Sequence, residues 1–262
     1  MLVFLNEKIM RIKIIKKIHT KVKILRTKLR KIFLKTKLEK SSAAQNYHYF
    51  YNNPNSFDKL CEIYGTDKGF LEFEGIKPYG YRPHTYSTVY HNLFDHCKED
   101  INLVFECGIG TNDINLPSNM TASSKPGASL RVWKNYFPKA QIYGADIDDK
   151  ILFQEERIFT FQMDQLNSLS IERMWSNINK SNFDLIVDDG LHTCEAAFNL
   201  FLNSFKKLKN GGIYIIEDVH YSYLENLKNK LIKYNPEVII LQNNYFNKYN
   251  IKNNNLILIR KL

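Results

Sequence analysis

The sequence predicts an α/β fold, in which a doubly wound, mostly parallel sheet of seven strands carries helices on both faces. From about residue 100 onward, short apolar runs alternate with longer segments of helical periodicity. Four successive apolar runs also end in an acidic residue. Such alternation favours parallel strands joined by helical crossovers, because a tight turn cannot connect a parallel pair. With 262 residues, 44% of them hydrophobic, the chain can bury a full core.

Each element is predicted from its own apolar pattern. The strands are predicted at residues 101–105, 141–145, 157–163, 183–188, 212–216, 238–241 and 256–259. Crossover helices are predicted at 130–137, 166–178, 193–208 and 223–234, and helical segments at 57–64 and 83–94 precede the first strand. Residues 115–127 are rich in Ser, Pro and Asn. This insertion is expected to face the substrate or to act as a lid, with a plain surface loop as the alternative.

The charge is concentrated at the N-terminus. Residues 1–40 contain fourteen Lys and Arg against two Glu, a formal charge of +12, and the total of +10 leaves −2 for the rest of the chain. The sequence therefore predicts three parts: a basic arm at 1–40, a linker at 41–55 and a catalytic domain at 56–262. Because the catalytic domain is slightly acidic, we do not expect it to bind nucleic acid.

The arm has three interpretations. Its apolar residues recur every three or four positions and would form one stripe of a helix: Ile15, Ile18, Val22, Leu25, Leu29 and Ile32. Such a helix could lie on an anionic membrane surface, could dock in a coiled coil or on a partner, or could be a solvated tail. Lysines interrupt every apolar run, so no transmembrane span is expected, and the apolar start is too short for a signal peptide.

The four cysteines are scattered and form no Cys-x-x-Cys pair. We therefore expect a reduced cytoplasmic protein without a zinc site, peripheral at the inner face of the membrane if the arm binds there.

Acidic residues at strand ends predict a nucleoside site. The first strand runs into Glu106-Cys107-Gly108-Ile109-Gly110, the second ends in Asp146 and the third in Asp164-Gln165. The turn lacks the third glycine of the dinucleotide fingerprint, and the chain has no Gly-Lys-Ser/Thr phosphate loop, so neither NAD nor ATP is favoured. A single strand-end Asp often caps a helix, but the set is what a ligand at the edge of an α/β sheet requires.

Two further strand ends predict a metal site. One reads Asp188-Asp189-Gly190-Leu191-His192, and the next reads Glu217-Asp218-Val219-His220. Carboxylates from neighbouring parallel strands meet at one edge, and oxygen ligands suit a hard cation such as Mg²⁺.

The Glu-x-Gly-x-Gly turn and Asp146 resemble the cofactor site of Rossmann-like class I S-adenosylmethionine (SAM) methyltransferases. A closer resemblance lies in residues 126–133, 136–138, 142–146, 188–192 and 216–218, which are similar to the metal-dependent sugar O-methyltransferases of the mycinamicin type. The resemblance implies that the metal ligands are Asp189, Glu217 and Asp218 and that the base is His192. It also implies that the cofactor-binding residues are Glu106, Gly108, Gly110, Ser129, Asp146, Asp164, Gln165 and Asp188. The N-terminal region and the connection after Asp218 depart from this family, so the acceptor and any oligomer are left open.

The predicted function is Mg²⁺- and SAM-dependent O-methylation of a sugar hydroxyl, in a surface polysaccharide or its precursor. A hydroxyl is a poor nucleophile at neutral pH, so a metal and a histidine base are both useful for its activation. One alternative is N-methylation of an amino sugar or small amine, which needs the metal less. The other is a membrane-attached scaffold that binds SAM without turnover.

Overall fold

In a computed structural model, the part of the chain that is described forms one mixed sheet of nine strands. The structure describes residues 46–50, 54–69, 83–122, 124–242 and 253–262. The strands are β1 (Asn46–Phe50), β2 (Leu103–Cys107), β3 (Gln141–Asp146), β4 (Gln154–Glu155), β5 (Ile158–Gln162), β6 (Phe183–Asp188), β7 (Leu208–Ile216), β8 (Glu237–Gln242) and β9 (Asn255–Arg260). Their order across the sheet is β1-β8-β9-β7-β6-β2-β3-β5-β4.

The centre of the sheet is parallel. Strand β2 lies between β3 and β6, and the parallel pairing continues outward to β5 on one side and β7 on the other. Strand β9 is antiparallel to both of its neighbours, β7 and β8. The carboxyl ends of β2, β3, β5, β6 and β7 therefore share one edge of the sheet, where ligands bind in open α/β folds.

All seven predicted strands are present, and the predicted fold class is confirmed. The two additional strands lie at the edges: β4 has two residues and pairs with β5, and β1 pairs with β8. Two residues are too few to show a periodicity, which explains why β4 was not predicted. Strand β1 lies inside the range predicted as a linker, so part of residues 41–55 belongs to the sheet.

The described residues form six α-helices: α1 (Ser56–Tyr64), α2 (Ser87–Phe94), α3 (Ala128–Tyr136), α4 (Ser168–Ile178), α5 (Cys194–Ser204) and α6 (Tyr221–Leu231). Helices α1 to α3 pack on one face of the sheet, and α4 to α6 pack on the other. Adjacent strand residues alternate between these two cores. Val104 contributes to the first core, and Phe105 contributes to the second.

Two helices begin directly after strand-end turns. The Thr193 side chain accepts a hydrogen bond from the amide of Ala196 and caps α5, and the His220 ring accepts from the amide of Ser222 and caps α6. These caps fix where the chain leaves β6 and β7, so they also fix the turns that hold the predicted metal ligands and base.

The predicted arm at 1–40 lies outside the described residues, as do 41–45 and 51–53 of the predicted linker. Among the helices that the structure does describe, none combines the length and the apolar character needed to cross a bilayer.

Candidate active site

A cavity of about 720 Å³ opens at the carboxyl edge of the sheet. Six predicted cofactor residues line it: Gly108, Gly110, Ser129, Asp146, Asp164 and Gln165. The predicted metal ligands and base line the same cavity: Asp189, His192, Glu217 and Asp218. The insertion also contributes to the wall through Pro117, Ser118, Asn119, Met120, Ser124 and Lys125. The nucleoside site and the acid cluster predicted from separate strand ends are therefore two parts of one space.

Gly108 brings the turn after β2 close to the turn after β6. Its φ is +81°, and a Cβ at this position would lie 2.0 Å from the carbonyl oxygen of Asp189. Only a residue without a side chain permits both this backbone conformation and this approach.

Asp146 ends β3 and is held by the glycine turn. Its carboxylate accepts hydrogen bonds from the backbone amides of Ile109, at 2.9 Å, and Asp148, at 3.1 Å. Burial raises the pKa of Asp146, although these amide donors oppose that shift. A carboxylate has about four acceptor positions, so it can accept further bonds from two ribose hydroxyls.

Asp164 and Gln165 follow β5 but have different partners. Asp164 lines the cavity, and its carboxylate accepts from the amide of Leu166 at 2.9 Å. The Gln165 side chain donates to Asp188 Oδ1 at 2.7 Å and accepts from the amide of Leu191 at 2.8 Å. The Gln165 amide therefore fixes the turn after β6, so Asp164 is the better placed of the two to accept from an adenine amino group.

Glu106 and Asp188 were predicted to bind the cofactor, but neither lines the cavity. Glu106 accepts from the Trp133 indole at 2.9 Å, so its side chain lies on the face covered by α3. Asp188 is buried against Gln165, and this burial raises the pKa of Asp188 to about 6. The two carboxylates point to opposite faces of the sheet, because side chains alternate along a strand. Each is bonded to a neighbouring side chain.

The acid cluster is built around Asp189, His192 and Asp218. Each offers one ligand atom, and these three atoms lie within 4.8 Å of one another. The His192 Nε2 lies 3.6 Å from Asp218 Oδ2. Mg²⁺ is usually held by one or two carboxylates together with water or substrate oxygens, so the two aspartates fit this cation.

Glu217 lies in the same cavity but has protein partners on both oxygens. Its Oε2 lies 2.5 Å from Lys68 Nζ, and its Oε1 accepts a hydrogen bond from the Tyr90 hydroxyl. The structure therefore does not bring Glu217 into the group formed by Asp189, His192 and Asp218. Burial raises the pKa of Glu217 well above its ordinary value, against the opposing effect of Lys68.

Lys68 is a site residue that the sequence analysis did not predict. Its ammonium lies 2.6 Å from Asp189 Oδ2, 2.5 Å from Glu217 Oε2 and 3.0 Å from Glu106 Oε1. Burial alone would lower the pKa of Lys68, but the three carboxylates raise it well above its ordinary value. The ammonium is therefore charged. The local signal was weak, because Lys68 lies in a turn after α1 with no periodicity.

Asp218 is held by residues that precede the first predicted strand. His84 Nε2 lies 3.2 Å from its Oδ1, and the Tyr86 hydroxyl donates to the same oxygen. Burial alone would raise the pKa of Asp218, but the nearby His84 and His192 imidazoles lower it below its ordinary value. Asp218 is thus kept in the charged form that a cation would require.

His192 and Asp218 also share an uncommon backbone conformation. Their φ angles are +55° and +53°, in the left-handed region that side chains other than glycine rarely adopt. The Tyr223 hydroxyl donates to the carbonyl oxygen of His192 at 2.9 Å and lies 3.3 Å from that of Asp218. Backbone strain of this kind persists where surrounding contacts fix it, and it is concentrated at functional sites.

Comparison with known proteins identifies relatives of the chain. No family model matches the chain. The 8-demethyl-8-α-L-rhamnosyl tetracenomycin-C 2′-O-methyltransferase of Streptomyces olivaceus is 33% identical over 140 residues, which cover 53% of this chain and 34% of that protein. The mycinamicin VI 2″-O-methyltransferase of Micromonospora griseorubida is 40% identical over 97 residues, 37% of this chain and 24% of that protein.

A solved structure agrees with these relatives. MycE, a methyltransferase of the mycinamycin biosynthetic pathway in complex with Mg and SAH, superposes with a TM-score of 0.51 and 29% identity. The match covers 67% of this chain and 40% of MycE. The chain has the fold of the class I methyltransferases and is similar to the mycinamicin-type sugar O-methyltransferases.

The resemblance predicted from the sequence motifs is therefore confirmed. The chain spans 40% or less of the length of these three relatives. The match shows the fold of the chain and its similarity to these enzymes.

Proposed function

We propose that the protein transfers the methyl group of SAM to a sugar hydroxyl, with Mg²⁺ as its metal. The observation that carries this proposal is the single cavity that joins the glycine turn and Asp146 to Asp189, His192 and Asp218. A methyl donor at the first part and an acceptor at the second would be held side by side. Holding two reactants in line can supply a large share of the rate acceleration.

The chain's own residues account for the handling of the cofactor. Asp146 accepts from the ribose hydroxyls, and Asp164 accepts from the adenine amino group. Gly108 and Gly110 have no side chains, so the amino acid part of SAM can lie close to the backbone of this turn. Met120 and Ile147 add apolar surface to the same wall.

His192 acts as the base. Its Nε2 faces the Asp189 and Asp218 carboxylates across the acid cluster, so it can take the proton of a hydroxyl bound there. Bound SAM would supply a methyl group for the acceptor oxygen, and the electron pair of the broken carbon–sulfur bond would stay on sulfur in S-adenosylhomocysteine. His192 would hold the proton of the hydroxyl until it passes to solvent.

Asp189 and Asp218 would hold the metal. Mg²⁺ bound by these two aspartates would lower the pKa of the acceptor hydroxyl and fix its position. Glu217 was the third predicted ligand. In this arrangement it lies beside the two aspartates and is bonded to Lys68 and Tyr90.

Sugar hydroxyls are the proposed acceptor because the named relatives methylate sugar positions. We place the activity in the synthesis of a surface polysaccharide or glycoconjugate, at the cytoplasmic face of a membrane. The basic residues and apolar stripe of the 1–40 arm support this placement, since each Lys or Arg near an anionic surface contributes about 1 kcal/mol of binding. Salt-sensitive flotation with anionic vesicles, lost on removal of residues 1–40, is the expected result, and no flotation at low salt would contradict it.

The metal and the base are tested together. EDTA should abolish turnover while leaving SAM binding intact, and His192→Ala should lower kcat by about 10²-fold or more. His220→Asn is the matched control, because His220 lies outside the cavity lining and asparagine can replace it as the cap of α6. Full turnover in EDTA would contradict the proposed need for a metal and would favour methylation of an amine.

A further inference from the structure

Lys68 connects three strand ends that are far apart in the sequence. Its ammonium contacts Glu106 at the end of β2, Asp189 after β6 and Glu217 after β7. The lysine itself lies in the turn that follows α1. One cation therefore connects this turn to the carboxyl edge of the sheet.

Burial makes this contact necessary. The side chains of Lys68, Glu106 and Glu217 are 2%, 0% and 1% exposed. Buried carboxylates that lack a positive partner are strongly destabilising, since little water can solvate them. Asp189 and Glu217 both line the cavity, and Asp189, which is 23% exposed, is the member of the group that is most accessible to a ligand.

Lys68 does not line the cavity, although Gly65, Thr66 and Asp67 before it do. It therefore acts on the site through the carboxylates that it holds. Trp133 and Tyr90 complete the arrangement by donating to the remaining oxygens of Glu106 and Glu217. Each of these two buried glutamates thus has an ion pair with Lys68 and a hydrogen bond from a neutral donor.

We propose that Lys68 is a positioning residue, a fixed internal cation that holds Asp189, Glu106 and Glu217 in place whether or not a divalent metal is bound. The metal then adds to a cluster that is already ordered. This role does not depend on the acceptor or on methyl transfer, so it can fail or succeed separately from the proposed function.

The wild-type protein gives the first test. If Lys68 holds the cluster, the Tm of the SAM-bound protein in EDTA should stay within a few degrees of the Tm in MgCl₂. Lys68→Met keeps the aliphatic stem but removes the charge. It should lower the Tm in EDTA by roughly 6 to 20 °C, as expected for breaking a buried ion pair in a chain of this size.

The magnesium response separates positioning from general stability. In Lys68→Met the uncompensated carboxylates should bind MgCl₂ more tightly, so the Tm rise on adding MgCl₂ should exceed that of the wild type. Lys228→Met is the matched control, because Lys228 is a buried lysine on α6 that lies 3.8 Å from Glu225 and does not line the cavity. It should lower the Tm without changing the magnesium response.

A double variant covers the case in which Lys68→Met does not fold. Removing the charge of Glu217 as well, in Lys68→Met/Glu217→Gln, restores part of the charge balance and should give a higher Tm or more soluble protein than Lys68→Met. Three results would overturn the proposal: a wild-type protein that unfolds in EDTA, a Lys68→Met variant with wild-type Tm and magnesium response, or a double variant no more stable than the single one.

Discussion

The Tyr223 hydroxyl lies 2.9 Å from the carbonyl oxygen of His192, the proposed base. It is also 3.3 Å from the carbonyl oxygen of Asp218, so one hydroxyl bridges the turns after β6 and β7. Both of these residues have a positive φ. Tyr223 follows the His220 cap at the start of α6, which fixes its position relative to both turns. The strained backbone of the proposed base and of a proposed metal ligand is thus held by one side chain outside the cavity lining.

Tyr223→Phe should therefore lower kcat about fivefold, the effect of losing one hydrogen bond of about 1 kcal/mol in the transition state. The Kd for SAM should stay within about twofold, because the hydroxyl contacts no cofactor residue. Steady-state kinetics and calorimetry measure the two quantities. Tyr143→Phe is the control, since its hydroxyl donates to Gln141 on the same sheet. Equal losses of kcat in Tyr223→Phe and Tyr143→Phe would show that the Tyr223 hydroxyl has no special role.

Asp146→Ala tests the cofactor end of the cavity. Removal of the carboxylate should weaken SAM and S-adenosylhomocysteine binding by about 1 to 3 kcal/mol, because the ribose hydroxyls lose their acceptor. Isothermal titration calorimetry gives the Kd. Asp149→Ala removes an exposed carboxylate three residues further on and should leave the Kd unchanged. Wild-type affinity in Asp146→Ala would mean that SAM lies elsewhere.

The sequence predicted the fold and the edge of the sheet, but not the contacts across it. All seven predicted strands and the four crossover helices are present because apolar periodicity is a local signal. Lys68 reaches partners 121 and 149 residues away, and no local pattern marks such a contact. For the same reason, the side-chain contacts of Gln165 and Glu217 could not be predicted from the sequence. Their residue types suited the ligands assigned to them, but protein partners from other elements occupy their side chains.

Gly108→Ala tests the close approach of the turns after β2 and β6. The added Cβ would clash with the Asp189 carbonyl and would strain a left-handed backbone, so stability should fall by roughly 2 to 4 kcal/mol and SAM binding should weaken. Gly211→Ala is the matched control, with φ of +78° and open space around its Cβ position, and should cost about 1 kcal/mol. Denaturant unfolding measures both. Similar losses of stability in Gly108→Ala and Gly211→Ala would mean that a small shift of the backbone relieves the clash at residue 108.

A surface ion pair gives a prediction for pH. Arg131 on α3 donates to Glu155 on β4, at 3.1 Å from its Nε, and this hydrogen bond lowers the pKa of Glu155. A carboxylate with a depressed folded pKa contributes stability that is present above its unfolded pKa and is lost as pH falls through the folded value. Glu155 is 39% exposed, so solvent limits the effect to less than about 1 kcal/mol.

Glu155→Gln should accordingly be less stable than the wild type near neutral pH. The difference should shrink as the pH is lowered from about 6 to about 3, because the wild-type carboxyl becomes protonated. Unfolding free energies from urea titrations across this range provide the measurement. A difference that is constant with pH would show that packing, and not the charge of Glu155, is responsible.

The proposed activity is tested most directly by mass spectrometry of the reaction product. The protein is incubated with SAM, MgCl₂ and glycosides that carry free sugar hydroxyls, with matched amino sugars in parallel. We expect one added methyl group on a sugar oxygen, formed together with S-adenosylhomocysteine and absent with EDTA or in His192→Ala. A product methylated on nitrogen, or an oxygen-linked product formed equally well by His192→Ala in EDTA, would contradict it.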